Sequence, residues 1–143
     1  MDPNAELPPL EFERHLPHSV ERVWAALTDP ALMAQWLMQN DFAPRVGHRF
    51  TLRATPVPGW SGITNCEVLE LVPLQKLVYS WGDGSESDSG LRTVATWTLT
   101  QTPEGTLVRF VHSGFRTKDM GGYKGMGGGW PRILERLERV CAG

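Results

Sequence analysis

The sequence predicts an α+β fold, an antiparallel sheet wrapped on one long C-terminal helix. Two short helices follow the first strand. Three observations predict it. Between Gly47 and His112 the chain reads as successive strands separated by turn residues. Trp130, Ile133, Leu134, Leu137 and Cys141 then fall on one stripe of a 3.6-residue period, with Arg132, Glu135, Arg136, Glu138 and Arg139 on the other faces. A helix with one apolar stripe needs a partner layer, and the preceding strands supply it.

The elements follow in order. Residues 1–9 are polar and proline-rich and read as a flexible tail, leaving 10–143 as a single domain. Leu10 to Leu16 alternates apolar and polar residues, the mark of an edge or half-buried strand. Ser19 suits a helix N-cap, and Val20, Val23, Trp24 and Leu27 form the stripe behind it. Asp29 caps a second short helix whose first turn accepts Pro30 and whose stripe is Leu32, Met33, Trp36 and Leu37. Strands are expected at His48–Arg53, Ile63–Val72, Lys76–Trp81, Leu91–Thr100 and Thr106–Ser113, with a hairpin turn at Pro103-Glu104-Gly105. The loop from Gly82 to Gly90 has no apolar residue and is expected to be mobile and solvated. Along the fourth of these strands, alternation places Ala95, Trp97 and Leu99 toward the last helix and Val94, Thr96 and Thr98 away from it.

The residues before Trp130 conflict with a long helix. Six of the ten residues from Met120 to Gly129 are glycine. Each glycine inside a helix costs about 1 kcal/mol against alanine. On propensity the last helix therefore begins at Pro131, a residue suited to a first turn.

Composition excludes several classes. A formal net charge of -2 gives no reason to expect nucleic-acid binding. No apolar run approaches the length of a membrane span. The acidic N-terminus lacks the basic and apolar regions of a secretory signal, so the cytoplasm is the expected compartment. Cys66 and Cys141 form neither a disulfide framework nor a zinc spacing.

Several segments together carry a resemblance. They are Val23-Trp24-Ala25-Ala26-Leu27-Thr28-Asp29-Pro30, Trp36, Val46-Gly47-His48-Arg49-Phe50, Leu69-Glu70-Leu71-Val72-Pro73 and Leu77-Val78-Tyr79-Ser80-Trp81. Gly105-Thr106, His112-Ser113-Gly114 and Gly129-Trp130-Pro131 with Leu134 and Leu137 complete them. In this order they resemble the activator of heat-shock-protein ATPase-like family of the START and birch-pollen-allergen-like (SRPBCC) superfamily. The resemblance covers about residues 10–141. It implies a helix-grip fold and a last helix that begins near Asp119 and is irregular around Gly127 to Pro131, because an interior proline removes a hydrogen bond. The family's co-chaperone carries a further N-terminal chaperone-binding domain, for which residues 1–9 offer no counterpart.

Chemistry is sparse. His15, His18, His48 and His112 make no ligand pair, so no metal site is expected, and no cofactor motif occurs. The glycines around Gly125 lack the Gly-Lys-Ser/Thr of a phosphate loop, and no Gly-x-Ser-x-Gly marks a serine nucleophile. No catalytic residue is assigned. His112 alternates with Val108 and Phe110, which leaves two readings: an acid/base or ligand-orienting group, or a structural histidine. Glu67 and Glu70 have opposite parity, so one points inward unless a bulge or an exposed strand end intervenes.

The leading expectation is a binding protein for an apolar or aromatic small molecule, held between sheet and C-terminal helix. The expected lining is Trp24, Trp36, Phe50, Tyr79, Trp81, Trp97, Phe110, His112, Trp130 and Leu134, and the expected gate is Gly125, Met126 and Gly127. The same aromatics are equally compatible with a solid core. Two alternatives stand beside this: a module that regulates a chaperone ATPase by surface contact, and an enzyme of cyclase or hydrolase type.

Overall fold

A computed structural model describes residues 2–58, 60–83 and 90–143, so most of the polar loop expected at Gly82–Gly90 lies outside the described residues. The chain order is β1 (Leu10–Leu16), α1 (Val20–Thr28), α2 (Pro30–Trp36), β2 (Gln39–Asn40), β3 (Arg49–Arg53), β4 (Ile63–Val72), β5 (Lys76–Gly82), β6 (Arg92–Thr102), β7 (Gly105–Ser113) and α3 (Met120–Ala142). The strands form one antiparallel sheet in the order β1-β7-β6-β5-β4-β3-β2. Consecutive hairpins from β2 to β7 run across it, and β1 closes the far edge against β7. The two-residue β2 is too short for any periodicity to reveal it.

Local chemistry sets the two short helices. The Ser19 hydroxyl accepts the Arg22 N–H at 3.2 Å, and the Asp29 carboxylate accepts the Ala31 N–H at 2.9 Å with Pro30 at the start of α2. Each cap satisfies a donor that the first helical turn leaves open. Val20, Val23, Ala26 and Leu27 of α1 and Met33 and Trp36 of α2 are buried against the sheet and α3.

Alternation divides the sheet cleanly. Ala95, Trp97 and Leu99 are buried, whereas Val94, Thr96 and Thr98 are half-buried on the opposite face. On β4 the register shifts between Val68 and Glu70. This bulge resolves the parity conflict of the two glutamates. Glu67 pairs with Arg49 at 3.4 Å and Glu70 with Lys76 at 2.9 Å, and neither carboxylate enters the core.

Two expectations need revision. The last helix does not begin at Pro131. It runs unbroken from Met120 to Ala142, through all six glycines and past the proline, with no interruption at Gly127 to Pro131. Tertiary packing by Trp130, Leu134, Leu137 and Cys141 outweighs the poor propensity of the glycines. Near the N-terminus, Pro3 and Ala5 carbonyls accept N–H groups of Lys118 and Thr117 at 3.0 and 2.9 Å, and the Leu7 N–H reaches the Phe115 carbonyl at 2.8 Å. The segment expected as a tail thus lies as a strap along the entry to α3.

Candidate functional site

The side chains facing α3 form one aromatic cluster. Trp97 is its centre, with ring centroids 4.1 Å from Phe110, 5.4 Å from Trp36 and 6.1 Å from Trp130. Trp130 lies 4.2 Å from Phe110 and 5.5 Å from Trp81. The cluster extends through Tyr79, Phe50 and Phe42 at the β3 side. At the other side it extends through His112, Phe115 and Tyr123, with centroid steps of 4.6 and 5.4 Å. Edge-to-face and tilted contacts of this kind add to the area term of burial.

Three indole nitrogens of the cluster have defined partners. Trp36 Nε1 donates to the Ala26 carbonyl at 2.8 Å, and Trp97 Nε1 donates to the Tyr79 hydroxyl at 3.0 Å. Trp130 Nε1 donates to His112 Nδ1 at 3.1 Å. His112 Nε2 lies 2.8 Å from Thr93 Oγ1, whose proton goes to the Trp81 carbonyl at 2.6 Å. With Nδ1 accepting and the threonine proton committed, Nε2 carries the imidazole hydrogen, which fixes the neutral Nε2–H tautomer. Burial then pushes the His112 pKa down to about 3. Burial also raises the Tyr79 phenol, and pushes the Cys66 and Cys141 thiols up to about 12 and about 11.

Of the expected lining residues, Trp36, Phe50, Tyr79, Trp81, Trp97, Phe110, His112, Trp130 and Leu134 are buried in one continuous core, and Trp24 is half-buried at its edge. Of the expected gate, Gly125 is exposed, while Met126 and Gly127 are half-buried where α3 crosses β1. A Cβ on Gly127 would lie 3.4 Å from the Leu10 side chain. His112 is engaged through both nitrogens, the geometry of the structural reading. Arg109 faces outward and pairs with Glu11 at 2.7 Å.

Three participants escape the sequence reading. Thr93 shares the parity of Ala95 and Trp97, so alternation does signal it. Phe115 lies beyond the last strand, where no period points inward, whereas Tyr123 lies seven residues before Trp130 on the same stripe of α3, hidden by the glycines around it.

The arrangement offers apolar and aromatic surface with a few committed polar atoms. A neutral His112 and protonated thiols supply no proton-transfer group poised near neutral pH. Among the described residues, no three His, Cys, Asp or Glu side chains are placed to share a metal ion. Among them also, no helix is long and apolar enough to cross a membrane.

A curved antiparallel sheet gripping a long C-terminal helix, with two short helices after the first strand, defines a helix-grip domain of the SRPBCC type. Within that class, the chain belongs to the family described as Activator of Hsp90 ATPase homolog 1-like protein, whose model matches residues 17–142. SRPBCC domains commonly bind ligands. A solved structure from Mesorhizobium loti is 42% identical, with a TM-score of 0.84 over 93% of this chain and 96% of that one. A Bacillus halodurans protein is 25% identical, with a TM-score of 0.78 over 96% and 99%. The Aha1 dimer from Colwellia psychrerythraea shares the fold at 21% identity, with a TM-score of 0.78 over 94% and 96%. No curated protein matches the sequence.

Proposed function

We propose that this protein binds a small apolar or aromatic molecule between its sheet and the glycine-rich half of α3. One observation carries the reading. A Cβ at Gly121, Gly122, Gly125, Gly128 or Gly129 would meet nothing within 4 Å, so close packing does not require these glycines. Their effect is to weaken the helix. The second half of α3 is held by the buried Trp130, Leu134, Leu137 and Cys141, whereas the side chains of the first half, Met120, Tyr123 and Met126, are at most half-buried.

A guest enters by lifting that first half and settles against Phe115, Tyr123 and Met126 over the Trp130–His112 pair. Burial of its apolar area is the driving term, at about 25 cal/mol per Å². Met126, an unbranched and flexible side chain, is suited to make room.

A panel of apolar aromatic compounds, read by thermal shift and tryptophan emission, tests the proposal. A raised melting temperature together with a change in emission supports it. Absence of both for the whole panel rejects it. The description of the matched family favours a second reading, contact with a chaperone ATPase. Stimulated ATP hydrolysis by the chaperone, with no thermal shift from any compound, would select that reading instead.

A further inference from the structure

We infer that the outer face of the sheet, turned away from α3, carries a second binding site, one for a small apolar molecule bearing a carboxylate. The inference is independent of the site under α3. A recess of about 770 Å³ lies across β3, β4, β5 and β6. Its outward side chains include Arg49, Asn65, Glu67, Leu69, Ser80 and Val94, the parity opposite to the buried Cys66, Trp81 and Ala95.

The sheet is irregular here. Asn65 pairs with Gly82 and Val68 with Tyr79, but between them the Glu67 N–H donates to the Ser80 hydroxyl at 2.9 Å. Leu69, at the bulge after Val68, keeps the outward parity of Asn65 and Glu67 and is 44% exposed. At Gly82 an added Cβ would lie 2.6 Å from the Leu91 carbonyl, so only glycine lets the chain close around this end of the recess. A side chain standing in for a ladder bond, beside a bulge, bends the strands and hollows the outer face.

The occupant follows from the groups around the hollow. Leu69 and Val94 give it an apolar side. The Asp41 carboxylate is occupied by the Thr51 N–H at 2.6 Å and the Thr51 hydroxyl at 3.2 Å, which holds its pKa below the usual carboxylate range. Arg49 is 86% exposed and reaches Glu67 only through Nε, at 3.4 Å. Among the described residues its two terminal nitrogens have no partner, and a guanidinium fork matches a carboxylate in two parallel hydrogen bonds.

Naphthoate and its uncharged amide are the probes, with backbone amide shifts read by NMR on the whole chain. Naphthoate is expected to move Asn65, Leu69, Ser80 and Val94 in a saturable way. Arg49→Gln is expected to weaken that binding by about tenfold, the loss of one charge-assisted contact. Leu69→Glu, a change at an exposed position, is expected to abolish it. Shifts at Phe115, Tyr123 and Met126 report the site under α3 and do not enter this test. Unmoved outer-face amides, equal binding of the amide probe, or binding unchanged in Arg49→Gln would each overturn the inference.

Discussion

Trp130 on α3 and His112 on β7 are joined by one hydrogen bond, 3.1 Å from Nε1 to Nδ1, at the residue before Pro131. The bond marks a boundary within the helix. Beyond it, Leu134, Leu137 and Cys141 fill the core; before it lie the six glycines. Pro131 has no N–H for the Gly127 carbonyl, so helical hydrogen bonding is weakest at the same place. The latch, the proline and the glycines together divide α3 into an anchored half and a loosely held half.

The latch depends on Thr93, which accepts from His112 and donates to Trp81. Thr93→Val keeps the shape and leaves a buried imidazole N–H without an acceptor. The expected loss in urea denaturation is about 1–3 kcal/mol. Thr96→Val, on the outer face of the same strand, is expected to change stability by less than about 0.5 kcal/mol.

The same histidine predicts a pH dependence. Folded, His112 stays neutral to about pH 3, whereas its ordinary value is 6.5. Between those values the unfolded chain binds more protons, so acid favours unfolding. The contribution is complete above about pH 6.5 and is lost as pH falls toward 3, with a slope of up to about 1.4 kcal/mol per pH unit. His112→Phe is expected to flatten the stability profile between pH 6.5 and 4.5. An unchanged slope in that variant would assign the acid sensitivity to other groups.

The longer strands and the two short helices were legible because each rests on a local signal. Ser19 and Asp29 cap their helices, Pro30 opens α2, and Trp97 and Leu99 set the register of β6. The aromatic cluster was legible for the same reason, since alternation names its inward members. The start of α3 was not legible from propensity. Six glycines and a proline argue against helix locally, and the contacts that overrule them come from α1, α2 and β1 and, through Trp130, from Phe110 and His112 of β7, distant in sequence. The outer recess was illegible because it depends on a bulge at Leu69 and a ladder bond replaced by Ser80. Neither has a pattern in the residues themselves.

The open space around the glycines makes a substitution test. Gly122→Ala, Gly125→Ala and Gly128→Ala meet no atom and suit helical backbone, so each is expected to stabilise by about 0.4–1 kcal/mol. Gly105→Ala is the opposite case. Its φ is +154° and an added Cβ would run into the Leu16 carbonyl, so that variant is expected to be destabilised. Melting temperatures of the four variants decide the matter. If the three helical alanines stabilise the fold but slow uptake of an aromatic probe, the glycines serve movement.

The strap makes a further prediction. Deleting residues 2–8 removes the acceptors of the Thr117 and Lys118 N–H groups and the donor to the Phe115 carbonyl. Amide exchange is expected to accelerate from Thr117 to Gly129 and to stay unchanged from Ile133 to Val140. Equal acceleration along the whole of α3 would mean that the helix responds as one body.

Hydrogen exchange along α3, with and without an aromatic probe such as naphthalene, tests the central claim most directly. The account predicts fast exchange from Gly121 to Gly129 in the free protein. It predicts marked slowing there with the probe bound, and little change from Ile133 to Val140. A glycine half already as protected as the last turns, and indifferent to the probe, would contradict it.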